Sequence, residues 1–407
     1  MTPPFVLFIL FNAGIAFALA IVVATAAGRL GFPHPAATER RSAIDGMRGY
    51  LAMGVMVCHF ILWTQVERLG GEWAPPTINF FNQLGAGAVS LFFMVTGYLF
   101  YPRIVAGLRK TNWITTFTGR AFRILPLVVI TVAAISLIIK TRGATGRAEL
   151  SAYLMWLTSF DEPPLLGYPK TGRINAYVLW SLWYEWVFYL TILPLSALTR
   201  DLLPKRVPSW IIPILLLVFS VIGRVTTSWR LFEVLPYFAI GMLAFELQRS
   251  DKIASFFRRP NVSLMSAGSL ILGMSLAPSP DGSAVLLFAF FFLAVACGND
   301  YWGLLRHRGS LVLGDCSFSI YLWHGIVLSI VFVEAKGILG WFATPWLPAA
   351  LPFAVVIVVI VSIASYVLIE RPMIAVGRRV ACRFDRLPGR DRHAKRPFAR
   401  VELEVAP

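Results

Sequence analysis

Apolar runs long enough to cross a bilayer recur along the whole chain, and no other feature constrains its fold as strongly. A helix needs about 20 consecutive apolar residues to span the hydrocarbon core. Of the 407 residues, 57% are hydrophobic and only 14% are charged, whereas soluble domains carry about 25% charged residues. The sequence therefore predicts an all-α polytopic membrane protein, a bundle of about 11 transmembrane helices (10–11). The runs lie at residues 4–27, 47–66, 86–106, 124–140, 176–198, 209–223, 231–248, 262–278, 283–297, 315–335 and 347–369.

The first run, residues 4–27, has two interpretations. Its "ATAAG" end resembles the cleavage site of a signal peptide. A signal peptide, however, starts with basic residues and has an apolar stretch of about 7–15 residues. This run has no basic start and is longer. We therefore expect this helix to be retained in the mature protein. Residues 1–43 are expected to form an extra N-terminal transmembrane helix with a basic loop.

Lys and Arg are unevenly distributed along the chain, which carries a net charge of +16. If the N-terminus is outside, the segments that then lie inside hold 28 of the 37 Lys and Arg. Cytoplasmic segments are enriched in these residues, and a basic tail is attracted to anionic lipid. We expect a cytoplasmic C-terminus and a basic, disordered tail at 373–407 that contacts lipid and not nucleic acid. Pro372, at the end of "SYVLIERP", is expected to close the last helix.

Two ionisable residues share one apolar segment, "IDGMRGYLAMGVMVCHF" at 44–60. The eleven positions from Arg48 to His59 make about three helical turns, so both side chains lie on one face about 16 Å apart. Asp45 lies near the same face, one turn earlier. A snorkelling anchor is the simple alternative for Arg48, and a structural role for His59. Ionisable groups deep in a membrane mostly mark pathways or reaction centres, which favours a functional role for His59.

A carboxylate lies in the fifth run, in "VLWSLWYEWVFYL" at 178–190. Glu185 is surrounded by aromatic residues such as Trp180, and its depth is similar to that of His59. A lone carboxylate there is costly without a partner. We therefore expect Glu185 to hydrogen-bond one ring nitrogen of His59, which would leave the other nitrogen free as a base. The alternative is a structural Glu bonded to Ser181 or to a Tyr.

Two arginines occur three positions apart in "TGRAFRILP" at 118–126, at the inner end of the fourth run. Arg120 and Arg123 lie on one helical face, and each guanidinium can give bidentate hydrogen bonds to a phosphate. The pair is therefore a candidate site for a phosphate-bearing ligand. The enrichment of cytoplasmic ends in basic residues explains the same charges without a ligand.

A second membrane-embedded histidine, His324, lies in "CSFSIYLWHGIVL" at 316–328, with Tyr321 three residues before it. Two such histidines could form a proton relay or bind a metal. Neither helix has a further His or Cys at ligand spacing, and the four Cys of the chain show no metal-binding pattern. We therefore expect no metal.

In chain order, these segments resemble the membrane-bound acyltransferase 3 family over residues 44–372. The family's basic residue, ten-residue spacer and His fall on Arg48 and His59, and its paired arginines fall on Arg120 and Arg123. Thr96 stands where Ser is common. The six pieces that carry the resemblance are "IDGMRGYLAMGVMVCHF", "LFFMVTGYLF", "GRAFRILP", "WSLWYEWVFYL", "CSFSIYLWH" and "SYVLIERP".

The resemblance implies an O-acyltransferase of the bacterial inner membrane. It would move an acyl group, usually acetyl, from cytoplasmic acetyl-CoA or another acyl-CoA to a hydroxyl of a cell-envelope or exported glycan or glycolipid. Arg48, Arg120 and Arg123 would hold the donor's phosphates. His59, oriented by Glu185, would act as the base or carry the acyl group transiently. Supporting or substrate-binding roles are expected for Asp45, Trp180, Tyr321 and His324.

A proton-coupled transporter or flippase of a glycan or small molecule is the rival class. In it, the buried ionisable residues would form a proton or substrate path. Such a protein needs no acyl-CoA, and no inverted repeat is evident in the sequence to support it. Binding of acyl-CoA therefore discriminates between the two classes.

Overall fold

The computed structural model of the protein describes residues 3–33, 43–280, 282–335 and 344–385. Over these residues the structure is 79% helical and contains no strand, which confirms the all-α class. Seven helices are long and apolar enough to cross a membrane, and three shorter apolar helices of 10–17 residues accompany them. The total of about 11 spans stays a prediction.

The first half of the chain has four long helices followed by shorter ones. A π-helical turn, Phe188–Ile192, joins α7 to α8, so that the two form one continuous helical segment. The helices are α1 (Pro3–Arg29), α2 (Ala43–Arg68), α3 (Asn79–Ala106), α4 (Trp113–Thr141), α5 (Leu150–Thr158), α6 (Thr171–Ile174), α7 (Trp180–Val187) and α8 (Leu193–Leu202).

The second half alternates longer and shorter helices. Two further π-helical turns, Ile330–Glu334 and Tyr366–Glu370, extend α15 and α16. The helices are α9 (Ile211–Thr226), α10 (Leu231–Gln248), α11 (Asp251–Phe257), α12 (Pro260–Leu276), α13 (Ser283–Ala296), α14 (Arg308–Asp315), α15 (Ser317–Ser329), α16 (Leu351–Ser365) and α17 (Arg371–Asp385).

Helix α2 lies at the centre of the bundle, because it packs on α3, α14 and α15. Every residue from 51 to 64 is buried except His59, which is partly exposed. Helix α3 in turn crosses α10, where a Cβ on Gly97 would lie 2.0 Å from the carbonyl oxygen of Phe238 and one on Gly241 1.9 Å from that of Met94. Glycines at this crossing let the two backbones touch, which is how membrane helices approach closely.

The end of the last long helix differs from the prediction. Pro372 does not close the helix, because a π-helical turn leads directly into α17 and Pro372 is the second residue of α17. Proline is tolerated in a first helical turn, where its missing N–H is not needed. Helix α17 packs on α4. Residues 373–385 are therefore helical and not a disordered tail, and 386–407 lie outside the described residues.

Candidate active site

Three predicted arginines line one cavity. Helix α2 contributes Arg48, and α4 contributes Arg120 and Arg123. The guanidinium carbon of Arg120 lies 4.6 Å from the ring centre of Phe100 and 5.7 Å from that of Tyr189. The two aromatic rings therefore hold this guanidinium by cation–π contact. The structure thus brings together the arginine set that the sequence predicts.

Carboxylates balance part of this positive charge. Asp45 and Asp315 act electrostatically on Arg48, which gives the predicted residue Asp45 a place beside the arginines. Glu370 acts on Arg48 and Arg123. Its carboxylate is buried and accepts a hydrogen bond from Ser319. Its Oε2 atom has no hydrogen-bond partner among the described residues.

Glu185 lines the same cavity but does not pair with His59. The hydroxyls of Thr96 and Tyr189 donate to its carboxylate, at 3.4 Å and 2.9 Å. Among the residues that the structure describes, neither carboxylate oxygen is bonded to His59. The predicted Glu185–His59 pair is therefore wrong, because α7 places Glu185 against α3 and the arginine-lined cavity.

The side-chain hydrogen-bond partner of His59 is His324. Nδ1 of His59 lies 3.0 Å from Nε2 of His324, and the two rings are stacked with centroids 5.1 Å apart. Helix α15 carries His324 and packs on α2. The two membrane-embedded histidines, predicted as separate features, are one pair.

The hydrogen bonds of the pair assign its tautomer. Nδ1 of His324 lies 3.0 Å from the carbonyl oxygen of Ile320, and a carbonyl can only accept, so this nitrogen is the donor. In a neutral imidazole the other nitrogen is then an acceptor. Nε2 of His324 consequently accepts from Nδ1–H of His59. This leaves Nε2 of His59 unprotonated, the form that a general base requires.

Tyr321 connects the cavity with the histidines. It lines the cavity, and its ring centre lies 6.0 Å from that of His324. Its hydroxyl donates to the carbonyl of Val178 at 3.0 Å and lies 2.7 Å from the hydroxyl of Ser181. The cavity therefore extends from the arginines to within one side chain of the histidine pair, although neither histidine lines it.

Trp180 does not line the cavity either. Its ring lies 6.3 Å from that of Phe93, and the guanidinium carbon of Arg230 is 5.1 Å from its centre. The neighbouring Ser181 and Leu182 take the positions in the cavity wall.

Two residues beside the arginines were missed by the sequence prediction. Tyr189 lies in the cavity wall, one helical turn after Glu185, a spacing that could have indicated a contact. Glu370 acts on Arg48 and Arg123 without lining the cavity, and no sequence pattern shows that it approaches the arginines. Within the described ranges, no group of three His, Cys, Asp or Glu is arranged to hold a metal ion.

A comparison with known protein families decides the identity. The family model described as an acyltransferase domain, acyltransferase 3, matches residues 41–367. The chain belongs to the acyltransferase 3 family. It is an acyltransferase, and its apolar helices make it an integral membrane protein.

Several curated proteins are similar to this acyltransferase. Exopolysaccharide production protein ExoZ of Rhizobium meliloti is 24% identical over 72% of this chain and 91% of its own length. Nodulation protein 10 of Rhizobium leguminosarum is 22% identical over 87% of this chain and 99% of its own. BcsY of Komagataeibacter xylinus, described as a candidate membrane-bound transacylase, is 25% identical over 82% of this chain and 83% of its own length. No solved structure matches the chain.

Proposed function

We propose that this acyltransferase moves an acyl group, most simply acetyl, from cytoplasmic acyl-CoA to a hydroxyl of a cell-envelope or exported glycan. The observation that carries the proposal is the histidine pair beside a cavity lined by three arginines. A donor with phosphates at one end and a thioester at the other matches a site with arginines at one end and a base at the other. The similarity to an exopolysaccharide production protein supports a glycan as the acceptor.

The arginines would bind the donor's phosphates. Arg48, Arg120 and Arg123 can each present a planar fork of N–H donors to phosphate oxygens. Glu185 holds the hydroxyl of Tyr189, and the ring of Tyr189 flanks Arg120. We therefore propose Glu185 as a positioning residue for the arginine end of the cavity.

His59 would perform the proton transfer. Its Nε2 takes the proton of the acceptor hydroxyl as the hydroxyl oxygen bonds to the thioester carbonyl carbon. The carbon–sulfur bond then breaks, and the imidazolium returns the proton to the leaving thiolate. In the variant with a transient acyl-histidine, Nε2 itself attacks the carbonyl carbon, and the carbon–sulfur bond breaks as the CoA thiolate leaves. The acceptor oxygen then bonds to the acyl carbon as the carbon–nitrogen bond breaks, and the freed imidazole takes the hydroxyl proton and passes it to the thiolate. His324 fixes the reactive tautomer in either course.

The proposed orientation follows the distribution of charge. In a bacterial inner membrane, an outside N-terminus and a cytoplasmic C-terminus place Arg120 and Arg123 at the cytoplasmic end of α4, where acyl-CoA is available. About 11 spans would require the shorter apolar helices and the α7–α8 segment to cross with the seven long helices. A green fluorescent protein fused after Pro407 should fluoresce in cells, whereas a secreted phosphatase fused there should be inactive.

Binding of acetyl-CoA to the purified full-length protein in lipid nanodiscs tests the proposal. Wild-type protein should bind, and Arg120→Ala and Arg123→Ala should each weaken binding about tenfold or more, because each loses charged hydrogen bonds of about 1.5–3 kcal/mol. Arg109→Ala is the matched control, because Arg109 is exposed and does not line the cavity. If the wild type does not bind, or the control loses as much affinity, the proposed donor site is wrong.

A further inference from the structure

Aromatic side chains from three segments meet next to the histidine pair. Trp63 lies one helical turn after His59 on α2. Its ring centre is 5.2 Å from that of Trp73, in the loop after α2. The Trp73 ring is in turn 5.9 Å from the ring of Tyr177, in the segment before α7, and 5.7 Å from the guanidinium carbon of Arg173. Trp63, Trp73, Tyr177 and Arg173 are here named the aromatic cluster. The cluster begins one helical turn after His59, the proposed base, and extends away from it.

The cluster offers both apolar faces and polar atoms. The Tyr177 side chain is 39% exposed, and Trp73 and Arg173 are partly exposed. Trp63 is 3% exposed, and its indole Nε1–H has no hydrogen-bond partner among the described residues. A buried indole N–H usually finds an acceptor, so this donor is left with an unmet hydrogen bond.

The backbone that presents Tyr177 is strained. Ala176 and Tyr177 have φ angles of 60° and 51°, in the left-handed region that bulky residues rarely adopt. The Tyr177 N–H donates to the carbonyl of Gly172 at 2.8 Å and to the side-chain oxygen of Asn175 at 3.2 Å. Strain of this kind persists only where surrounding contacts enforce it, and it concentrates at functional sites.

The contacts that enforce the strained turn come from the helix that carries His324. A Cβ on Gly325 would lie 2.3 Å from the backbone of Asn175, so only glycine allows the turn to approach α15 this closely. Tyr321, which precedes His324 on the same helix, donates a hydrogen bond to the carbonyl of Val178. Residues on both sides of His324 thus fix the turn, and with it the ring of Tyr177, relative to the proposed base.

We propose that the aromatic cluster is the acceptor subsite and binds a sugar ring of the glycan. A pyranose ring has an apolar C–H face, which packs on aromatic rings, and hydroxyls, which can accept hydrogen bonds from the partly exposed Arg173. Ligand sites commonly combine aromatic walls with a few such donors. The assignment rests on the proposed function, because it takes the acceptor to be a glycan.

An aromatic belt at the membrane surface is the competing explanation, because Trp and Tyr are enriched there in most membrane proteins. Trp229 provides a matched control. It is a 58% exposed Trp in the loop between α9 and α10, which the predicted topology places on the same side of the membrane, and it lies outside the cluster. If the aromatic residues only anchor the protein at the membrane surface, Trp229→Ala should lower glycan acylation as much as Trp73→Ala does.

The test uses a deletion strain complemented with full-length variants and measures O-acyl groups released by alkali from isolated envelope glycan. Tyr177→Ala and Trp73→Ala should each lower glycan acylation about tenfold. An aromatic contact contributes free energy in addition to the apolar area that it buries, and its loss corresponds to a rate change of this order. Tyr177→Phe, which keeps the aromatic ring, should recover most of the acylation that Tyr177→Ala loses, and Trp229→Ala should stay within about twofold of wild type. Acetyl-CoA binding by each purified variant should be unchanged, which separates acceptor binding from loss of folding.

Each of the other outcomes contradicts either the proposed function or the proposed acceptor subsite. If the wild type and the deletion strain have equal glycan acylation, the proposed function fails. If the wild type acylates glycan and Tyr177→Ala does so equally well, only the acceptor subsite fails. If Trp229→Ala loses as much acylation as Trp73→Ala, the cluster is a membrane belt, and if the cluster variants lose acetyl-CoA binding, its role is structural.

Discussion

Replacing His324 by Leu should slow acyl transfer without weakening donor binding. In the structure, Nε2 of His324 accepts the Nδ1–H of His59 at 3.0 Å, and Leu leaves this buried donor without that acceptor. An unsatisfied buried donor costs about 1–3 kcal/mol, which corresponds to a factor of about 5–150 in rate. A backbone hydrogen bond from the His59 ring to Val55 partly compensates, so we expect a loss in the lower half of this range.

His324→Gln separates orientation from proton transfer. The amide oxygen of Gln can accept the same Nδ1–H but cannot serve as an acid or base near neutral pH. The assay is the transfer of radiolabelled acetyl to envelope glycan by protein in proteoliposomes, with kcat and the Kd of acetyl-CoA measured for each variant. We expect Gln to restore most of the rate that Leu loses. Equal activity of His324→Leu and wild type would refute the orienting role, and equal loss in both variants would mean that His324 itself carries the proton.

Two further predictions concern stability and pH. Gly241→Ala should lower the melting temperature by several degrees in a thermal-shift assay. Its Cβ would overlap the carbonyl of Met94, and such overpacking costs about 1–3 kcal/mol. Gly268→Ala is the control and should leave the melting temperature unchanged, because its Cβ would meet no atom within 4 Å. Burial raises the pKa of Glu162 from 4.5 to about 8, so the stability that its protonated form contributes is complete below the unfolded pKa of 4.5 and is lost as pH rises through about 8. Hydrogen exchange over residues 159–179 should therefore accelerate between pH 7 and 9 relative to Glu162→Gln, and identical profiles would contradict this.

Glu162 illustrates how the segment between α5 and α7 is connected to the site. Its Oε1 accepts the N–H of Leu179 at 2.9 Å, and its Oε2 is buried without a partner in the described part of the chain. Asp161, the preceding residue, raises the pKa of Glu162 further, whereas the side chain of Asn175 lowers it. Ionised Glu162 thus disturbs the same turn that presents Tyr177, which links this pH dependence to the proposed acceptor subsite.

The sequence could predict the residues of the site better than their partners. The spacing of Arg120 and Arg123, and the place of Arg48 at one end of an apolar helix, predict a basic site, and the structure brings the three residues together in the wall of one cavity. These features depend on positions within single helices, which helical geometry fixes. The membrane class is equally accessible, because the length of an apolar run is a local property.

Contacts between helices could not be predicted in the same way. Depth in the membrane suggested Glu185 as the partner of His59, yet depth does not determine which helices are neighbours. Helix α15, and not α7, packs on α2, so His324 is the partner. Similarly, Pro372 indicates a helix end by local rules, and only the packing of α17 on α4 explains why the chain continues as a helix.

The rate of acyl transfer by His59→Ala shows whether His59 is the reacting base or acyl carrier. Protein in proteoliposomes is given radiolabelled acetyl-CoA and envelope glycan from the deletion strain, and acetyl-CoA binding is measured on the same preparation. We expect transfer to fall by a factor of about 10²–10⁴ while acetyl-CoA binds as in the wild type. Wild-type transfer by this variant would contradict the claim that His59 is the reacting base or acyl carrier.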